Sequence, residues 1–259
     1  MLPPTDVYTS RATSYARGRP GYPLASLTPL ASVAGVAPPA VLADVGAGTG
    51  ILTGSLLRLR YRVRAIEPNP AMRTVLLRTF GNDAACLPLA GSAEATGLPA
   101  RSVDAITMGQ SLHWFDPART RREFARVLRP GGALLALWNE VRCRECAFCP
   151  ALDELLAALL DTYAEAKAKD PDPVALMRAV APGEASVRVY EVRHEQALTR
   201  DGLWNRVDST SYAPGRHDTL RPLLEHRLAE LFRHHAVDGR VVLHYTTTTV
   251  LAFPAGAAA

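Results

Sequence analysis

Short apolar runs alternate with longer amphipathic ones through the first 140 residues of this chain. Continuous apolar runs of four to eight residues read as buried strands, and apolar positions at i, i+3 and i+4 read as one face of a helix. The pattern predicts strands over 41–45, 61–66, 84–89, 103–108 and 133–138. Helices are expected over 51–59, from the prolines at 68 and 70 to about 80, and over 118–128. Strands spaced by helices in this way give an α/β fold with a parallel sheet. From 141 to 182 the rhythm stops. Leu152, Leu155, Leu156, Leu159, Leu160 and Tyr163 form one apolar helix face, and Pro171 and Pro173 then break the chain. An insertion after the fifth strand is expected to lie over the open end of the sheet as a helical lid. A strand over 187–197, helices over 201–209 and 217–235, and a last strand over 240–253, rich in β-branched residues, complete the pattern. Ahead of the first strand, residues 1–30 form an arm with a short helix over 9–16, stopped at Arg19-Pro20-Gly21. The whole chain, 1–259, is expected to be one domain with this arm and this lid.

The densest chemistry follows the first strand. Gly46, Gly48 and Gly50 make a turn between strand and helix, where backbone can come close to a ligand and helix N–H groups point into the site. Asp44 stands two residues ahead, inside an apolar strand. A carboxylate there needs a partner, either a cationic ligand or the turn's own N–H groups. The spacing G-x-G-x-G is not the dinucleotide fingerprint G-x-G-x-x-G, because Ile51 stands where the last glycine would be. Glu67 ends the second strand, about 20 residues past the first glycine, and is an acceptor suited to two vicinal ribose hydroxyls.

Asp-x-Gly-x-Gly-x-Gly resembles motif I of the class I S-adenosylmethionine-dependent methyltransferases. The N-terminal order Ala12-x-x-Tyr15-x-x-x-Arg19-Pro20-x-Tyr22-Pro23 is similar to the branch that includes trans-aconitate methyltransferase. The resemblance implies a doubly wound, mostly parallel, Rossmann-like sheet of seven strands with an antiparallel last strand. It implies S-adenosylmethionine as cofactor, with the arm folded over it. Tyr15, Arg19 and Asp44 are then candidates for its methionine end and Glu67 for its ribose, with Gly46, Ala47, Gly48, Pro68 and Gln110 as further cofactor contacts. Gly91-Ser92-Ala93-Glu94 followed by Leu98-Pro99 is similar to the family's adenine loop, which makes Ser92, Ala93 and Glu94 candidates; many members carry Asp where this chain has Ser92. Gln110-x-Leu112-His113-Trp114-Phe115-Asp116 resembles the small-molecule branch. There His113 is a candidate general base and Trp114 a wall of the transfer pocket. Glu140, Trp204 and Tyr212 are candidate acceptor contacts.

The remaining features narrow the classes. The 259 residues carry a formal net charge of +4 and 48% hydrophobic residues, with no lysine- or arginine-rich tract. The Asn-Pro-Pro-Tyr string common in methyltransferases of nucleic-acid bases and protein amides is absent after the fourth strand. A small-molecule acceptor is therefore expected rather than nucleic acid or membrane, in a cytoplasmic protein without a leader or a long apolar run. Cys143, Cys146 and Cys149 are spaced C-x-x-C-x-x-C, with Cys86 alone. The spacing is not that of radical S-adenosylmethionine enzymes and lacks a fourth local ligand, so no metal is expected. Two rival functions stand beside methyl transfer: a protein of the same fold that binds the cofactor for other chemistry, and a nicotinamide oxidoreductase. Composition leaves the oligomeric state and the choice of O-, N- or C-methylation open.

Overall fold

The computed structural model describes residues 8–142, 146–168 and 172–254. Its strands are β1 (Val41–Val45), β2 (Arg62–Ile66), β3 (Cys86–Leu89), β4 (Val103–Gly109), β5 (Leu128–Val141), β6 (Ala185–Leu198) and β7 (Val241–Pro254). They form one sheet in the order β3-β2-β1-β4-β5-β7-β6. β1 pairs in parallel with β2 and β4, β2 with β3, and β4 with β5. β7 runs antiparallel between β5 and β6. The chain winds outward from β1 through β2 and β3, then restarts on the other side at β4. A crevice opens where the winding reverses, outside the carboxyl ends of β1 and β4. This is the expected doubly wound sheet with its antiparallel last strand.

The helices are α1 (Ala12–Gly18), α2 (Pro29–Ser32), α3 (Ile51–Arg58), α4 (Pro70–Phe80), α5 (Pro117–Val127), α6 (Phe148–Leu159), α7 (Asp161–Ala168), α8 (Pro173–Val180), α9 (Arg200–Asp208) and α10 (Arg221–His235). β1 is buried on both faces, as a central parallel strand must be. On one face, α5 and α8 pack Phe124, Val127, Met177 and Val180 against Ile106 and Val250. On the other, α2, α3 and α4 bring Leu30, Leu52, Leu56 and Leu76 against Leu42 and Leu135. A third cluster joins α6, α9 and α10 to the start of β7 through Leu152, Leu156, Leu203, Leu228 and Leu243. It lies apart from the two sheet cores and forms a helical layer at the β6–β7 end.

Local chemistry explains the boundaries. Asn69, Asp116 and Asp172 cap α4, α5 and α8 with side-chain oxygens, each followed by a proline in the first turn. At α8 this combination starts a helix where the sequence reading expected only a break, and α8 packs into the sheet core rather than over the crevice. Pro171 itself lies outside the described residues. The single apolar face expected through Tyr163 is divided between α6 and α7, because Leu160 is extended (φ −126°, ψ 99°). β5 begins at Leu128, inside the expected turn. Gly131 (φ +82°) keeps the strand paired across an irregularity at Val103/Ala105. The arm opens on a 3-10 turn, Thr9–Arg11, ahead of α1. No helix among the described residues is long and apolar enough to cross a membrane.

Candidate functional site

The glycine turn follows β1 directly. Gly46 N–H and Ala47 N–H both donate to Ile66 O, at 2.9 and 3.0 Å, which folds the turn back over the end of β2. Gly48 has φ +59°, and a Cβ built there would meet nothing within 4 Å. Its backbone therefore faces open space that a ligand can approach. Its N–H donates 2.8 Å to Glu67 Oε2, and Asn69 N–H donates 2.8 Å to Glu67 Oε1. Burial raises the Glu67 pKa above its ordinary value, against the pull of those two backbone donors. In the same turn, the buried Thr49 hydroxyl has no hydrogen-bond partner among the described residues.

Asp44 is fully buried. Its partners are neither a cation nor the turn's N–H groups but two hydroxyls and the Thr53 backbone N–H. Thr53 Oγ1 donates to Oδ2 at 2.6 Å and Thr107 Oγ1 to Oδ1 at 3.3 Å. None of these partners is charged, so burial dominates and pushes the Asp44 pKa up to about 7, with Glu67 adding to the rise. The signal for these partners was one helical turn away in α3 and one strand over in β4. Sequence order alone does not show that Thr53 and Thr107 meet at Asp44.

The N-terminal arm lies on this turn. Tyr15, Arg19, Pro20 and Tyr22 close a pocket floored by Asp44 and the glycines, pinched to about 30 Å³ of free space, room for little more than a water or two. The arm is held by α9. A Cβ on Gly18 would lie 2.3 Å from Asn205 C, so only glycine lets α1 come this close. Arg11 donates to the carbonyls of Asp208, Thr210 and Ala213. Arg19 donates through Nε to Ser209 Oγ and through Nη2 to Ser209 O, both at 3.0 Å, while its guanidinium lies over the Tyr15 ring.

Beyond the arm, the pocket opens into a trough of about 1690 Å³ between the carboxyl ends of β4 and β5 and the helical layer. Pocket and trough share Tyr15, Arg19, Gln110, Asn139 and Arg206. Gln110 adopts φ +56°, a strained conformation for a non-glycine residue, and its Nε2 donates 2.9 Å to Asn139 O. Asn139 is fixed in turn. Its Nδ2 donates to Gly21 O at 3.2 Å, and its Oδ1 accepts from Thr247 Oγ1 at 2.6 Å and contacts His194 Nε2 at 3.3 Å. His113, Glu140 and Tyr212 line the trough. Burial holds the His113 pKa below its ordinary value. Glu140 is paired with Arg142 at 2.5 Å.

The other candidates lie elsewhere. Trp114 sits tilted against His113, with ring centroids 4.9 Å apart and 44° between the ring planes, and does not wall the trough. Trp204 faces away, with the Arg221 guanidinium 4.8 Å over its ring. Glu67, Pro68, Ser92, Ala93 and Glu94 lie along the ends of β2 and β3, outside the pinched pocket. Ala93 is buried, and Glu94 Oε1 accepts from Asp116 N–H at 2.9 Å. Tyr8, Tyr245 and His194 are trough residues that the sequence reading missed. For His194 and Tyr245 the alternation along β6 and β7 was the only signal, and it does not say which end of those strands meets the crevice; Tyr8 lies in the arm just ahead of its first turn. Cys143 lies outside the described residues. Among the described residues no group of three or more His, Cys, Asp or Glu could hold a metal ion.

Comparison with known proteins now bears on this geometry. The family described as "Methyltransferase domain" matches residues 43–136, from inside β1 into β5. An uncharacterized methyltransferase of Mycobacterium tuberculosis is 33% identical over 248 residues, covering 95% of this chain and 94% of that protein. The chain belongs to the class I S-adenosylmethionine-dependent methyltransferases. An uncharacterized methyltransferase of Schizosaccharomyces pombe is 33% identical over 126 residues, 48% of this chain and 49% of that one. Among solved structures, a protein of Anaeromyxobacter dehalogenans assigned as a type II methyltransferase has a TM-score of 0.62 at 24% identity. It covers 90% of this chain and 97% of its own. At that identity the likeness speaks for the fold alone. The chain is thus an enzyme of methyl transfer, and membership implies dependence on S-adenosylmethionine. The open backbone at Gly48, the partnerless Thr49 hydroxyl and the bidentate-accepting Glu67 fit such a nucleoside.

Proposed function

We propose that this enzyme methylates a small molecule held in the trough, with S-adenosylmethionine lying along the glycine turn. The observation that carries the reading is the shared boundary of pocket and trough, formed by Tyr15, Arg19, Gln110, Asn139 and Arg206. When bound, S-adenosylmethionine supplies a methyl group already activated by its sulfonium. Asp44, the backbone of Gly46, Ala47 and Gly48, and Gln110 hold the amino-acid end from below, and Tyr15 and Arg19 from above. Arg19 retains Nη1 for the carboxylate while its other nitrogens stay on Ser209. Glu67 and Pro68 hold the ribose, and Ser92, Ala93 and Glu94 border the adenine.

No side-chain nucleophile is needed in such a site. Alignment of acceptor and methyl group can supply about 7–11 kcal/mol of the barrier. The arm and the helical layer exclude water from the junction. His113 is kept neutral near pH 7 and accepts a proton where the acceptor has one to lose. Glu140, tied to Arg142, shapes the trough wall, and Tyr212 offers an aromatic face. The trough, at about 1690 Å³, has more than enough room for a metabolite, and the lack of a lysine- or arginine-rich tract is what favours a small acceptor over nucleic acid.

Calorimetric titration with S-adenosylhomocysteine tests the cofactor half. Wild type is expected to bind at micromolar concentration, with Arg19→Ala several-fold weaker and Glu67→Ala at least tenfold weaker. Absence of binding to wild type, or unchanged affinity in both variants, would overturn it. Formation of S-adenosylhomocysteine across small acids, phenols and amines tests the acceptor half. Turnover confined to RNA or protein substrates would refute it.

A further inference from the structure

We infer that Arg206 anchors an anionic group of the acceptor, a carboxylate or a phosphate, at the junction of pocket and trough. This rests on the reading that Arg19 serves the cofactor. Arg206 is in the last turn of α9, with its Nε donating 2.8 Å to Tyr245 Oη. Tyr245 Oη donates 3.2 Å to Gln196 Oε1, and Gln196 Nε2 donates 3.1 Å to Gly18 O. This relay fixes the plane of the guanidinium before any ligand arrives. Among the described residues, its two Nη groups donate to no protein acceptor. A guanidinium is a planar fork that receives carboxylate or phosphate oxygens in pairs, and Arg206, partly exposed where it lines both pocket and trough, is open to such a group.

The surrounding charges sharpen the point. Most of the trough's carboxylates have partners: Glu140 with Arg142, Glu195 with His244, and Asp153 with the Tyr163 hydroxyl. The five residues shared by pocket and trough include two cations, Arg19 and Arg206, and no carboxylate. S-adenosylmethionine brings a sulfonium and an ammonium against one carboxylate, so its arrival adds positive charge to the junction. An acceptor carrying an anion offsets it. A carboxylate held by the fork is also a weaker nucleophile, so the anchored anion is not the atom methylated. Arg206 is therefore a specificity residue: it positions a second functional group at the junction.

The test uses the whole protein, with and without saturating S-adenosylhomocysteine, titrated with succinate, inorganic phosphate and succinamide. Wild type is expected to bind succinate or phosphate at millimolar concentration and to ignore succinamide. The preferred anion tells the two sources apart. Arg206→Gln is expected to weaken anion binding at least tenfold, and Arg206→Lys to restore part of it. S-adenosylhomocysteine affinity should stay within about threefold of wild type in both variants, which also reports an intact fold. Anion binding that is absent from wild type or unchanged in Arg206→Gln overturns the inference. Loss of S-adenosylhomocysteine affinity in Arg206→Gln overturns it as well, by assigning the residue to the cofactor or the fold. Failure of wild type to bind S-adenosylhomocysteine would instead sink the cofactor reading, and the titrations without it would still judge Arg206.

Discussion

Asp44→Asn should abolish a large part of the protein's pH-dependent instability. In the folded chain burial raises the Asp44 pKa from 3.8 to about 7, because the Thr53 and Thr107 hydroxyls and the Thr53 backbone N–H compensate only part of the lost hydration. In the unfolded chain the group has its ordinary pKa. Between about pH 4 and pH 7 the native state therefore holds a proton that the unfolded state has released, and stability falls as pH rises. A tenfold difference in proton affinity is worth about 1.4 kcal/mol, so the full effect is at most about 4 kcal/mol. Relaxation around the carboxylate makes about 2 kcal/mol a realistic lower bound. The loss should be nearly absent at pH 4 and complete above pH 7. The assay is urea unfolding of the cofactor-free protein at pH 5 and pH 8, wild type beside Asp44→Asn. Asparagine has the same shape and still accepts one hydroxyl, but it does not titrate. Glu67, His113 and His194 also carry shifted pKa values. They contribute nearly equally to both proteins, so the difference between the two curves isolates Asp44. About two-thirds of the effect falls between the two assay conditions, so the variant should gain about 1.5–3 kcal/mol relative to wild type on going from pH 5 to pH 8. A difference that stays constant with pH would refute the assignment of a strained buried carboxylate.

Glu123 behaves in the opposite sense. Its hydrogen bonds with Arg126 hold its pKa down at about 2, against burial and with help from Thr96. Arg126 is 43% exposed, which screens the pair. Glu123→Gln should cost about 1–2 kcal/mol at pH 7, and the cost should shrink as pH falls from about 4.5 toward 2, read by thermal melts across that range. Gly18→Ala should lift α1 from α9 and destabilise the protein by about 1–3 kcal/mol, with tryptic cleavage after Arg17 as the direct readout. His113→Ala should lower kcat at least tenfold for an acceptor that loses a proton, with little change in the affinity for S-adenosylhomocysteine. An unchanged kcat would remove His113 from proton transfer.

Legibility divides along the range of the interactions. The strand–helix rhythm of residues 41–138 is readable because a parallel strand buried on both faces must be apolar throughout, and the glycine turn is readable because its backbone conformation demands glycine at set spacings. Glu67, three residues before a proline-led helix, is placed by that local grammar alone. The helical layer was less legible. Asp172 and Pro173 look like a chain break in sequence but start a helix, because a capping carboxylate and a first-turn proline together satisfy the helix terminus. The partners of Asp44 are 9 and 63 residues away in the chain, and the seat of the arm beside α9 joins residues 190 apart.

By itself the sequence determined the α/β class, the ligand turn and the family, since these depend on periodicity and on residues within a few positions of one another. Only the tertiary structure decided that Asp44 is buried among hydroxyls with no cation beside it, that the arm closes the pocket through Ser209, and that Arg206 keeps an open guanidinium fork at the junction. Each of these depends on which distant segments share one volume of low dielectric. That is settled by packing of the sheet against its helices, and no local pattern in the chain encodes it.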